Sequence, residues 1–384
     1  MPVTLSGPWT PGSLRPVVDR VRLAELRVTG DPLADAVAAD RIPRGVLDDA
    51  LHHRAFDGPP SLVALRDQLE VRPSGLQADR MARGSRAYLG IGTTWMQLLL
   101  GPGSLVNTYR SPSIAAVLTA TGRLDSAAAG RRIQETGLWL GSAVLPDALM
   151  AGAPGYVATA QVRLLHAGVR RQLLKGGWDA NRWGVPINQI DLARTLLDFT
   201  YVPITAMHRL GVGFTADERD DVYHLFRHIG HLVGLDPDLH FDNHAQATRL
   251  VELLEEVSGT ADEASRALVE ALLEAYDELL SPVLHTPAPV THQLVLALAR
   301  VFHGRTVGET VGLRGPAPWA SATVRALGFA NSALRLLGRA VPAVRNRVVD
   351  QTATAIRGFP EILGGPALYQ DEPVPPGNET GRPS

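Results

Sequence analysis

The chain has 384 residues, more than twice an average domain of roughly 100–150 residues, which leaves room for one large domain or two fused ones. It carries 37 Lys+Arg against 39 Asp+Glu, a formal net charge of −2, one lysine (Lys175) and no cysteine. The lack of thiols excludes disulfides, cysteine-ligated metal clusters, thiol nucleophiles and thiolate-ligated haem. The near-neutral charge argues against a general electrostatic hold on nucleic acid.

Residues 1–59 are mixed in character, with turn signals such as Gly30-Asp31-Pro32, and are expected to form an irregular N-terminal extension. Met1–Pro16 shows no secretory signal, so a cytoplasmic location is expected. Gly58-Pro59-Pro60 separates this region from the rest of the chain. From about 60 to 350 apolar residues recur at helical spacing and period-two alternation is almost absent, which predicts one all-α domain. The longest apolar run, Ile91–Val106, is interrupted by Gln97, three glycines and a proline and is too short to span a bilayer. A helix is expected at 155–175. Asn188 is a plausible N-cap for a helix running towards Gly211 with a kink at Pro203. Thr215-Ala-Asp-Glu218 and Thr260-Ala-Asp-Glu263 have the capping-box form, and Gly211 and Gly234 suit helix C′ positions. Residues 365–384, rich in proline, glycine and charge, are expected to be disordered.

The segment richest in chemistry is Val162-Arg-Leu-Leu-His-Ala-Gly-Val-Arg170. On a helix, Arg163, His166 and Arg170 share a face, with Val162, Val169 and Leu173 completing it. A neutral imidazole on an apolar stripe suits an axial haem ligand, with the two guanidiniums pairing with propionates. A core histidine beside two salt-bridged arginines fits the same spacing. Gly168 would allow a close approach by a macrocycle or another helix.

This run resembles the signature of the latex clearing proteins, the rubber-oxygenase catalytic-domain family that also includes a fungal mycophenolic-acid pathway oxygenase. The resemblance extends to Thr121-Gly122, Arg131-Arg-Ile-Gln-Glu-Thr136, Trp183-Gly-Val-Pro-Ile-Asn188-Gln, Asp191-Leu-Ala-Arg-Thr-Leu-Leu197 and Tyr223-His-Leu-Phe-Arg-His-Ile-Gly230-His-Leu-Val-Gly234. It implies an all-α fold with globin-like packing around one haem b, O2 as co-substrate, and oxidative C=C cleavage of an apolar small molecule. It also implies His166 as the iron ligand and Arg163 and Arg170 as haem-binding residues. The distal pattern Arg-x-x-Lys-Thr reads Arg132, Glu135 and Thr136 here, with a glutamate in the lysine's place. The family's upstream glutamate falls near Ala116, and no acid lies between Val106 and Leu124. Glu135 is therefore the expected distal acid/base group, beside Arg132 and Thr136.

His224, His228 and His231 fall at i, i+4 and i+7, followed by His240 and His244. With Asp221 or Asp242 they form the best competing metal constellation, a non-haem centre. A monooxygenase or peroxygenase outcome and a non-catalytic haem-binding module are the other readings. His52-His53 is expected in a loop without an evident partner.

Overall fold

The computed structural model describes residues 18–53, 56–121 and 126–362. Its regular structure is helical, with no strand among the described residues, as the spacing predicts. The first helices are α1 (Arg20–Arg27), α2 (Pro32–Asp40), α3 (Arg44–His52), α4 (Pro60–Glu70), α5 (Ala78–Leu89) and α6 (Thr93–Leu98). A π-helical segment, Leu99–Leu105, leads into α7 (Val106–Tyr109) and α8 (Pro112–Ala120). The centre holds α9 (Ser126–Val144), α10 (Pro154–Lys175), α11 (Ala180–Trp183), α12 (Gln189–Asp198), α13 (Tyr201–Arg209) and α14 (Ala216–Leu232). The last part is α15 (His244–Val257), α16 (Glu263–Leu284), α17 (Ala288–Thr310), α18 (Pro318–Ala340) and α19 (Pro342–Ile362).

The segment expected to be irregular, up to residue 59, instead carries α1, α2 and α3. Each has only eight or nine residues, too few for a clear period or for stability alone. They hold because Leu23, Leu26, Val37 and Leu51 enter the main apolar core. At the other end helicity runs past 350, to Ile362. Residues 365–384 lie outside the described residues. His52 closes α3 rather than sitting in a loop, and its Nδ1 bonds the Asp48 carbonyl at 2.8 Å.

The local signals act where their geometry is short-range. Thr215 and Glu218 form a complete capping box at the start of α14. Asn188 caps α12 by accepting from the N–H groups of Ile190 and Asp191. Gly211 and Gly234 take φ values of 73° and 87° just past α13 and α14. Two expectations shift. The helix from Asn188 breaks at Thr200 (φ −123°, ψ −67°), ahead of Pro203, which sits in the first turn of α13 where its missing N–H costs no helical bond. Asp262, not Thr260, caps α16, accepting from the Ser265 N–H at 2.9 Å. Asp262 stands directly before the first helical residue, where its carboxylate reaches the Ser265 N–H, two residues closer to the helix than Thr260.

Helix α10 packs against α2, α9 and α14, and α14 lies along α5. The α5–α14 approach is set by Gly84, where a Cβ would stand 2.2 Å from the Asp221 carbonyl oxygen. That backbone cannot rotate away as a side chain would. Gly168 is the opposite case: it is exposed, and a Cβ there meets nothing within 4 Å, so no other helix approaches it closely. Gly84→Ala is therefore expected to destabilise by about 1–3 kcal/mol through overpacking. Gly168→Ala is expected to stabilise by about 0.5–1 kcal/mol. Thermal denaturation of the two variants checks the contrast in sign.

Candidate functional site

Helix α10 carries His166 and is tied to the chain's N-terminal part by both of its flanking arginines. Asp31 caps α2, accepting from the Ala34 N–H at 3.2 Å, and also takes Arg163 in a two-pronged pair, Nε at 2.5 Å and Nη2 at 3.0 Å. Both side chains are buried, Arg163 at 4% and Asp31 at 5% exposure. The remaining edge of the Arg163 guanidinium donates from Nη1 to Gln68 Oε1 at 2.5 Å. One turn along α2, Asp35 pairs with Arg170. Arg170 also donates to the carbonyls of Pro186 at 3.0 Å and Ile187 at 2.9 Å. Burial pushes the Asp35 carboxyl up, and Arg170 only partly offsets it. Protein carboxylates and carbonyls thus engage both guanidiniums, the pair expected to meet haem propionates.

Three of the resembling segments meet at this clamp. The Trp183–Asn188 turn supplies the carbonyls that Arg170 binds. The next residue, Gln189, donates from Nε2 to the carbonyls of Gly30 at 2.8 Å and Gly234 at 3.1 Å. Gly234 closes against the pair itself, because a Cβ there would lie 2.3 Å from Asp31 Oδ2 and 2.5 Å from Arg163 Nε. Asp31 and Asp35 went unrecognised in the sequence because Gly30-Asp31-Pro32 reads only as a turn.

Between the two clamped arginines stands His166. Desolvation, with a further push from Arg170, lowers its pKa to about 4, so the ring is neutral near pH 7. Neither ring nitrogen has a hydrogen-bond partner among the described residues. The side chain is only half-buried, although the surrounding protein desolvates it strongly. The ring is thus neutral, with a nitrogen lone pair that no described residue engages.

Helix α9 faces α10 in an antiparallel hairpin whose register is fixed by Trp139 Nε1 donating to Thr159 Oγ1 at 3.2 Å. Arg132 lies seven residues before Trp139 on α9 and His166 seven after Thr159 on α10, each about 10.5 Å along its helix from that contact. Arg132, Glu135 and Thr136 fall at i, i+3 and i+4 and share a face. Arg132 is buried, and its Nη1 donates to the Tyr109 hydroxyl at 3.1 Å, with the guanidinium 5.7 Å above that ring. Glu135 and Thr136 are half-buried. Tyr109, on the short helix α7, is a partner that no sequence signal marked.

The resembling Asp191–Leu197 segment, by contrast, forms a structural network on α12. Asp191 accepts from Ser113 Oγ at 2.5 Å and Asn188 Nδ2 at 3.0 Å. One residue beyond that segment, Asp198 accepts from Asn107 Nδ2 at 2.5 Å and Thr108 Oγ1 at 2.8 Å. Burial raises both carboxyls to about 6, against the pull of Arg194.

The competing histidine constellation does not assemble. His224 donates from Nδ1 to Asp242 at 2.5 Å and accepts from the Gln77 N–H at 2.8 Å. His231 donates to the Gln68 carbonyl at 3.0 Å. His244 accepts from the Tyr223 hydroxyl at 3.0 Å. Burial holds His228 near 4 and His240 near 3, keeping both neutral. Among the described residues no group of three or more potential ligands stands where it could hold a metal ion.

Removing one partner of the Asp31–Arg163 pair leaves a buried charge, so Asp31→Ala is expected to cost about 3–5 kcal/mol. Adding Arg163→Met should recover much of that loss, because no charge then remains unpaired. Urea denaturation of the two variants measures the recovery, and a double variant no more stable than Asp31→Ala would contradict the role given to the pair.

The comparisons with known proteins bear on the family and the fold. The family described as ER-bound oxygenase mpaB/B'/Rubber oxygenase, catalytic domain, matches residues 91–343. A solved latex clearing protein in its closed state superposes with a TM-score of 0.65 at 19% identity, covering 86% of this chain and 91% of that one. At that identity the likeness speaks for the fold alone. No curated protein matches the sequence. With the matched region taking in α9, α10 and the clamped turn after them, the chain belongs to the mpaB and rubber oxygenase catalytic-domain family.

Proposed function

We propose that the chain is a haem-b oxygenase that uses O2 to oxidise an apolar, alkene-containing small molecule, by cleavage of the C=C bond into two carbonyls. The observation that carries the reading is His166: a half-buried, neutral imidazole with neither ring nitrogen bonded by a described residue, on a helix within the family match. The donor set fits a haem through this one residue. The propionate partners are left unassigned, because Arg163 and Arg170 are already engaged.

In this reading His166 ligates the iron, and the haem supplies O2 binding and activation. Arg163 and Arg170 act one step back. By fixing α10 to α2 and to the turn at Pro186–Ile187, they set the position of the imidazole. On α9, the Tyr109 hydroxyl fixes Arg132 so that its charge is preorganised. Glu135 is the group that holds and moves a proton, and Thr136 offers a hydroxyl beside it. A single carboxyl thereby replaces the lysine of the family pattern. Half-buried Leu138 and Val169, on the two helices of the hairpin, suit an apolar substrate.

The absorption spectrum of the purified protein, ferric and dithionite-reduced, with and without imidazole, tests the cofactor. A Soret band is expected, and His166→Ala should hold less than about a tenth of the wild-type haem, in line with the loss of a metal's only protein ligand. A wild-type protein without that band, or unchanged haem content in the variant, would sink the reading. Glu135→Gln is expected to keep the spectrum while slowing alkene turnover by about 10²–10⁴-fold. Haem present with no turnover of any alkene in a panel would favour a binding module instead.

A further inference from the structure

The outermost helix, α18, buries only a narrow stripe. Ala320, Val324, Gly328 and Asn331 face the molecule, and Asn331 Nδ2 donates to the Leu210 carbonyl at 3.0 Å. At 100° per residue the rest of the circumference points outward, and apart from Thr323 and Arg325 its most exposed side chains are apolar. Phe329 is 78% exposed, Leu334 and Leu336 64%, Leu337 49%, Trp319 46% and Leu327 41%. The positions between them on that side are mostly exposed alanines, such as Ala322, Ala326 and Ala333. An exposed apolar face of this extent marks an interaction surface.

Its charge is one-sided. From Pro318 to Val349 the chain carries Arg325, Arg335, Arg339, Arg345 and Arg347 and no aspartate or glutamate. Arg325 and Arg347 are exposed. Arg335 and Arg345 both reach Glu218, the capping-box glutamate of α14, at 3.0 and 2.8 Å. One carboxylate thus bonds both helices of the α18–α19 pair to α14 and keeps the apolar face turned out. No helix among the described residues is long and apolar enough to cross a membrane.

We propose that the outward face of α18, with the turn into α19, seats on the surface of a membrane containing anionic lipid. The apolar side chains enter the headgroup–acyl boundary while the flanking arginines meet lipid phosphates. A second copy of the chain fits less well, because two such faces would bring the exposed Arg325 and Arg347 of each copy towards one another. The inference stands apart from the oxidation chemistry and needs no haem.

The test is co-sedimentation of the full chain with vesicles, either of phosphatidylcholine alone or of equal parts phosphatidylcholine and phosphatidylglycerol. Binding is expected to the anionic vesicles and to weaken with salt. The Phe329→Glu/Leu336→Glu variant should lose it by at least about tenfold with an unchanged thermal midpoint, since both side chains are solvent-facing. Arg325→Glu/Arg347→Glu should weaken binding to the anionic vesicles alone, by about tenfold. No binding to either vesicle, or equal binding to both, would overturn the proposal. So would a dimer in solution that Phe329→Glu/Leu336→Glu dissolves, which would assign the face to a second copy.

Discussion

The buried pair between Asp31 and Arg163 is the contact on which the site's geometry turns. Two ions taken out of water are costly unless every donor and acceptor is matched. Here the matching is nearly complete: two guanidinium nitrogens on the carboxylate, the third on Gln68, and the carboxylate also capping α2. That demand explains why distant segments crowd around it. Gly234 has no side chain because the pair fills that space, and Gln189 stitches the Gly30 and Gly234 carbonyls on either side. Short N-terminal helices that could not stand alone become part of the wall behind His166.

Burial pushes the Asp191 and Asp198 carboxyls towards protonation and keeps His228, His240 and His303 neutral, because it disfavours charge on either. Most of these groups satisfy themselves against backbone or neighbouring side chains. His224 is the clearest case, one nitrogen on a carboxylate and the other on a backbone N–H. A histidine so engaged has no lone pair left for a metal. His166 differs from His224, His231 and His244 in having neither ring nitrogen hydrogen-bonded among the described residues, whereas His228 and His240, also neutral, each leave Nδ1 unpartnered.

What could be read from the sequence was what short-range chemistry decides. Thr215, Asn188 and Gly234 act within a few residues of themselves, so their roles at helix ends were legible. The all-α class followed from spacing, and the family from several motifs in one order. The role of Arg163 was not legible: its partner lies 132 positions away in a stretch with no periodicity. Spacing placed it beside His166 correctly but could not tell a ligand-facing guanidinium from one clamped by a carboxylate. Tyr109 escaped for the same reason, since nothing local links it to Arg132, 23 residues on. Thr260 shows the converse limit, a correct local pattern displaced by Asp262, a better cap next to the helix.

The solitary lysine has a use that its scarcity alone did not suggest. Lys175 is exposed at the last turn of α10, the helix that carries His166. Nine residues of helix separate the two, about 14 Å along the axis. Apart from the chain's own N-terminus, no other amine competes for an amine-directed dye. Coupling there attaches an optical ruler to the far end of the His166 helix without a mutation. Any chromophore held at His166 would then register as quenching across a distance the helix itself keeps constant.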